Sequence, residues 1–398
     1  MKPNKTLNKA LPTPSSDAQA LSQQLTDKIR RHINRYGQLS FADYMRLALY
    51  TPNLGYYANG LAKIGAQGDF ITAPEISPIF SRCLARQAQQ VLCQLNQPNL
   101  VEFGAGRGIM ARDILLELNA LNQEIEHYYI IELSADLRQV QQQTLAVLPD
   151  ELRNKVIWLD QLPSSQIEAV VLANEVLDAM PVERIQLEPA RQSHAFVVWD
   201  ETLQQFDWDY QPIIDPKLQK IGNKILHQIG EPAERGYHTE INLNIKPWLQ
   251  SVADFLQAGL VLLIDYGYPR QEYYQPARHM GTLRCHYQHL AHANPFFYPG
   301  LQDITAHVDF TSVAEAAYAA NFKVAGYTTQ ANFLMASGLI EMAADPDAPV
   351  TEQLKVAQQI KTLTLPNEMG ENFKVMALTK HHDQALIGFK LRDLRHQL

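Results

Sequence analysis

The sequence predicts an α/β fold built on a mainly parallel, Rossmann-like sheet, with a helical N-terminal cap and an inserted subdomain. Three observations carry the prediction. Short apolar runs at 100–103, 128–131, 156–159 and 169–173 alternate with helical segments, the pattern of strands joined by crossover helices. The first run leads straight into the glycine-rich turn Gly104-Ala105-Gly106-Arg107-Gly108 and a helix at 109–121. The second ends on an acid, Glu132, at the strand end where sheets of this class hold their ligands.

The elements follow in order. Residues 1–20 carry Lys2, Lys5 and Lys9 among Pro, Ser and Thr, without the apolar stretch of a secretory signal, and are expected to be a disordered tail. Leu21, Leu25, Ile29 and Ile33, then Phe41, Met45 and Leu49, recur at helical spacing, with Ser40 placed to cap the second helix. Residues 51–78, rich in Gly, Pro and aromatics, read as a long ordered loop, and a helix follows at 78–95. These segments make 21–98 a cap whose loop covers a ligand. The core is expected in 99–182 and 259–398. Its fifth strand, 260–264, arrives after an insertion, 183–258, that holds a strand-like 195–199 and a helical 217–229. A helix at 312–320 is followed by strand candidates near 324–327, 374–379 and 385–390, from which the antiparallel edge of a seven-stranded sheet would be drawn.

Composition narrows the class of function. With 398 residues, 46% of them hydrophobic, the chain can bury about three quarters of its unfolded surface. A net charge of -8 argues against a general grip on nucleic acid, and the longest apolar runs fall well short of a membrane span. Cys83, Cys93 and Cys285 form neither a disulfide framework nor a thiolate metal site. A cytoplasmic, reducing compartment fits, as does a mitochondrial one in a source that has mitochondria.

The glycine turn carries the chemistry. Residues without Cβ atoms allow a tight turn and let a ligand lie against bare backbone at a helix N-terminus, which points to Gly104, Gly106 and Gly108. Glu102 is placed to meet a ligand ammonium group or to fix the loop. A carboxylate at Glu132 can accept both hydroxyl protons of a ribose, and Asp160, after the third strand, can accept from an adenine amino group. A nicotinamide site would carry its third glycine one position later, so S-adenosylmethionine (SAM) fits better than NAD.

Further motifs are spread along the chain: Pro52-Asn53-Leu54-Gly55-Tyr56-Tyr57, Gly68-Asp69-Phe70-Ile71-Thr72-Ala73-Pro74-Glu75, Asn174-Glu175-Val176-Leu177-Asp178-Ala179-Met180-Pro181, Ile264-Asp265-Tyr266-Gly267-Tyr268, Gly281-Thr282-Leu283-Arg284 and the run from Pro299 to Phe310. In these segments and their order the chain resembles the MidA-type methyltransferases, whose mitochondrial members are complex I assembly factors. The resemblance implies a class I, SAM-dependent fold, Asn174 beside the cofactor, and in mitochondrial relatives the methylation of an arginine on a protein subunit. The chain departs from the family pattern at Ala105, where proline is frequent, and at Val176-Leu177, where aromatics are frequent.

Methyl transfer to a guanidinium calls for carboxylates that orient it, offset its charge and help remove a proton. Glu175 and Asp178, just past the fourth strand, are the candidate catalytic pair; acids at a helix start would also serve as caps. Asp69 and Glu75 are expected in a loop folded over the cofactor. Asp265 and Tyr266, after the fifth strand, are expected to face the substrate pocket, and Tyr56 and Tyr57 to lay a ring against a cation or to pack in the core. His279, His286, His289, His292 and His307 lack metal-ligand spacing, so no metal is expected. A protein substrate is the expected partner. Three other readings stay open: methylation of a small molecule or another residue type, an assembly protein that binds SAM without turnover, and a nicotinamide oxidoreductase.

Overall fold

The computed structural model describes residues 11–59, 71–230 and 236–398, and the chain folds as two compact units. One comprises Ile71–Asp178, Ile245–Arg270 and Val308–Leu398 and holds the main sheet. Its strands are β1 (Asn99–Phe103), β2 (Tyr128–Ile131), β3 (Val156–Leu159), β4 (Ile167–Asn174), β5 (Leu256–Tyr268), β6 (Lys323–Thr329) and β7 (Phe373–Lys380). They lie in the order 3-2-1-4-5-7-6. The first five run parallel, and β7 is inserted antiparallel between β5 and β6. Strand order reverses between β1 and β4, the switch point at which open α/β sheets bind ligands.

In β4 every residue from Ala169 to Ala173 is buried. Successive side chains of a strand point to opposite faces, so both faces of the sheet are covered, as the unbroken apolar runs predict. On one side Pro78–Leu92 packs on Ile109–Ala120. The helix 78–92 and the segment before it thus belong with the sheet, and the boundary between N-terminal segment and sheet unit falls at residue 70 instead of the expected 98.

β5 runs from 256 to 268, well beyond the expected 260–264. It keeps ladder partners after its apolar run ends: Asp265 and Tyr266 pair with Lys374 and Phe373, and Gly267 and Tyr268 with Val308 and Asp309. Residues 385–390, expected as a strand, form instead a 3₁₀ turn at Ile387–Phe389. Their backbone donors bond side chains, Ile387 N–H to Gln90 Oε1 at 3.0 Å and Gly388 N–H to Gln87 Oε1 at 2.9 Å, which leaves no ladder to make.

The other unit gathers the described N-terminal residues with Ala179–Asn244 and Gln271–His307. Its antiparallel sheet joins Leu39–Ser40, Arg191–Asp200, Glu183–Glu188 and Tyr237–Ile241, with Gln205–Pro212 along the free side of Arg191–Asp200. The segment 271–307, expected in the core, adds a three-stranded sheet to this unit. The first helix starts at Ser16, capped by Ser15, so the expected disorder does not extend over residues 16–20. The second starts at Phe41, and Ser40 Oγ accepts from Asp43 N–H at 3.1 Å, a cap of about 1 kcal/mol. Of the positions so spaced, Leu25, Ile29, Ile33, Phe41, Met45 and Leu49 are buried, and Leu21 is half-buried.

Candidate functional site

The turn after β1 is made by backbone that only glycine adopts without strain. Gly104, Gly106 and Gly108 have φ of 64°, 50° and 81°. No side chain caps the helix that begins at Ile109, so its first amides stay open to a ligand. A Cβ on Gly104 would sit 3.4 Å from Val176 Cγ2, which places the turn directly beside the loop after β4. A Cβ on Gly108 would lie 3.3 Å from Gln141 Cα, a backbone atom with little room to give. Gly108→Ala is therefore expected to destabilise the fold by about 1–2 kcal/mol through its left-handed φ, read as a lower urea midpoint at unchanged slope.

At the end of β2, Glu132 is buried. Its Oε1 accepts from Ser134 N–H at 2.8 Å and its Oε2 from Gln141 Nε2 at 3.1 Å. Those two bonds hold the carboxylate in one orientation, and each oxygen retains a lone pair for a ligand hydroxyl. Burial raises its pKa, while the Ser134 and Gln141 donors pull the other way. Arg138 ties the neighbouring strand ends together, donating to the Glu132 carbonyl at 2.6 Å, to the Leu159 carbonyl at 3.1 Å and to the Asp160 carboxylate. Asp160 itself is exposed, beyond β3.

Glu102 differs from these. It is fully buried within β1, and Tyr128 O–H donates to its Oε2 at 2.7 Å. This bond ties Glu102 to the first residue of β2, a contact outside the two expected roles of meeting a ligand ammonium or fixing the loop. Burial pushes its pKa up to about 7, against the Tyr128 hydrogen bond. Because the folded value lies above the unfolded one, the stability this group contributes is complete at low pH and lost as pH rises through about 7. Glu102→Gln should remove that loss, up to about 3 kcal/mol. Its melting temperature should then gain on the wild type between pH 5 and pH 8, and a constant difference would exclude the titration.

Past β4 the backbone turns sharply. Glu175 has φ of 53°, a left-handed conformation costly for a side chain of this size, and its N–H is held by the Ile264 carbonyl at 2.8 Å. Strain of this kind collects where function demands a fixed geometry. Asn174 Nδ2 donates to Glu175 Oε1 at 3.2 Å, whereas its buried Oδ1 has no hydrogen-bond partner among the described residues. Asp178 is buried and accepts from Tyr266 O–H at 2.5 Å.

Asp265, expected at the substrate wall, is buried inside β5. Its carboxylate takes the N–H groups of Leu177 (3.0 Å), Asp178 (3.2 Å) and Tyr266 (2.9 Å). It clamps the loop that carries Glu175 and Asp178. Burial raises its pKa well above the usual carboxylate range, and the charges of Asp178 and Glu175 raise it further. Tyr266 reaches the same cluster through its hydroxyl. Among the described residues no group of three or more His, Cys, Asp or Glu is arranged to hold a metal ion.

Glu75 stands in the short helix Ala73–Ile76, not in a loop, and its carboxylate meets Arg107 of the glycine turn at 3.4 Å. Asp69 lies outside the described residues. Tyr56 and Tyr57 belong to the other unit. Tyr56 is buried in its core, the packing role of the two expected for it and not the substrate contact, and Tyr57 O–H donates to Asp303 Oδ1 at 2.8 Å.

Sequence reasoning missed Gln141 and Arg138. Gln141 stands four residues from Leu137 and four from Leu145 on one helix, a polar residue in an apolar stripe, and that anomaly was a readable signal. Nothing in the sequence marks Arg138 apart from other surface arginines.

These residues fit an adenosyl ligand: open helix amides, a turn of three positive-φ glycines, an oriented carboxylate at a strand end and an unpartnered buried carbonyl oxygen at Asn174. Comparison with known proteins agrees. A protein-family model described as "Putative S-adenosyl-L-methionine-dependent methyltransferase" matches residues 83–328. A crystal structure from Burkholderia thailandensis, bound to S-adenosyl-homocysteine, is 39% identical, with a TM-score of 0.92 over 98% of this chain and 100% of that one. The chain is 28% identical to "Protein arginine methyltransferase NDUFAF7 homolog, mitochondrial" of Drosophila melanogaster, covering 93% of this chain and 88% of the relative. It is also 28% identical to "Protein arginine methyltransferase NDUFAF7, mitochondrial" of Mus musculus, covering 92% and 87%. From its sheet order, its glycine turn and these matches, the chain belongs to this family of S-adenosyl-L-methionine-dependent methyltransferases, with the class I fold.

Proposed function

We propose that the enzyme methylates an arginine side chain of a protein substrate. The observation that carries the reading is the pair Glu175 and Asp178, which a strained turn and the Asp265 clamp hold directly beside the glycine cradle. SAM, when bound, supplies an electrophilic methyl carbon on a sulfonium. Gly104, Gly106 and Gly108 admit its adenosyl moiety, Glu132 accepts the ribose hydroxyls, and Asn174 Oδ1 accepts from the amino-acid end or the adenosine. Asp160 stands for the adenine amino group. Glu175, the more accessible acid, orients the guanidinium and offsets its charge, while Asp178, buried and accepting from Tyr266 O–H, lends its charge from behind.

The printed names of the animal relatives support arginine as the acceptor. Three free cysteines support a reducing compartment, cytoplasmic or, as those names have it, mitochondrial. Among the described residues no helix is long and apolar enough to cross a membrane. The test is to incubate the enzyme with methyl-labelled SAM and an extract from its own source, then map the label by mass spectrometry. Label on arginine supports the proposal, and label on lysine, on carboxylates or only on small molecules overturns it.

A further inference from the structure

We infer that Gln141 is a positioning residue of the cofactor site, a keystone that sets the glycine turn and the ribose acid in register. The assignment rests on the adenosyl reading of that site and names a residue that the reading does not otherwise use.

The geometry is specific. Gln141 has no exposed surface and sits on the helix Ala135–Leu145 that follows β2. Its Nε2 donates to the Gly106 carbonyl at 2.9 Å and to Glu132 Oε2 at 3.1 Å, and its Oε1 accepts from Trp158 Nε1 at 2.8 Å. One amide orientation alone satisfies these partners, since turning the amide would set oxygen against two oxygens and nitrogen against an N–H donor. Three segments therefore meet on one side chain: the turn after β1, the acid after β2 and the indole of β3. Gln141 Cα, Cβ and Cγ stand 3.3–3.4 Å from where a Cβ at Gly108 would be, so the residue also packs against the last glycine of the turn.

A buried glutamine on the Leu137–Leu145 face makes little sense as packing, because leucine would fill the same volume without polar atoms to desolvate. It makes sense as a connector. The two bonds from Nε2 fix the distance between a turn that meets one part of an adenosyl group and a carboxylate that meets another, so that the ligand finds both already in place.

The test uses the full chain and S-adenosylhomocysteine, titrated by calorimetry from pH 5 to pH 8, with melting temperatures recorded for every variant. Gln141→Met should weaken binding roughly tenfold at pH 8. It also removes a donor that holds down the proton affinity of Glu132, so the loss of affinity on acidification should begin at a higher pH than in the wild type. On a Glu132→Gln background the same change should cost little more, since the partner it positions is already altered. Gln141→Glu keeps the shape and serves if the methionine variant folds poorly; its second carboxyl should move the acid limb further upward. A lowered melting temperature with affinity and pH limb unchanged would reduce Gln141 to a structural residue and overturn the inference alone. Absence of binding by the wild type would overturn the cofactor reading as well.

Discussion

Glu175→Gln is expected to abolish methyl transfer, by roughly a hundredfold to ten-thousandfold, while S-adenosylhomocysteine affinity stays within about threefold of the wild type. The substitution is conservative in every respect but charge. Glutamine meets the same left-handed backbone cost at φ of 53°, and its carbonyl oxygen can still accept from Asn174 Nδ2. What disappears is the negative charge that orients and offsets a guanidinium and helps carry its proton away. Asp178 does not replace it, because it is buried under the Tyr266 hydroxyl. Turnover with labelled SAM and affinity by calorimetry separate the outcomes. Equal losses in both would mean that Glu175 holds the cofactor, and unchanged turnover would remove it from the chemistry.

The second large effect belongs to Glu132. Glu132→Ala removes the acceptor of two ribose hydroxyls, each a hydrogen bond to a charged group, and should weaken S-adenosylhomocysteine binding by about 3 kcal/mol or more, over a hundredfold. The wild type should show the same dependence through pH. Burial raises the pKa of this carboxylate, and protonation converts an acceptor into a donor. Affinity should therefore be full at pH 8 and decline on acidification at a higher pH than an ordinary glutamate would impose. In Glu132→Ala that acid limb should vanish. A hundredfold loss with the limb intact would mean that another group titrates.

Much of this arrangement was legible beforehand, for identifiable reasons. β2 and β3 were read at their observed limits because each is a short apolar run set between turn and helix signals. The glycine turn was legible because the demand for positive φ is written in residue type. Asp265 was misread because periodicity cannot register ladder partners: β7 and Val308–Asp309 extend β5 past its apolar run, and with it the clamp moves from wall to interior. For Tyr56 the sequence left two roles open, since an aromatic in a Gly- and Pro-rich segment looks the same whether it faces a ligand or a core, and burial decides for the core. Gln141 and Arg138 act through contacts with residues 35 and 21 positions away, Gly106 and the Leu159 carbonyl, and such pairings exist only once the chain is folded.

The central claim is that the cradle after β1 and the acid after β2 hold one adenosyl group between them. A crystal of the protein soaked with S-adenosylhomocysteine tests it most directly. The account predicts density along Gly104 to Gly108 with both ribose hydroxyls within hydrogen-bond reach of Glu132. Density elsewhere, or a ribose turned away from that carboxylate, would contradict it.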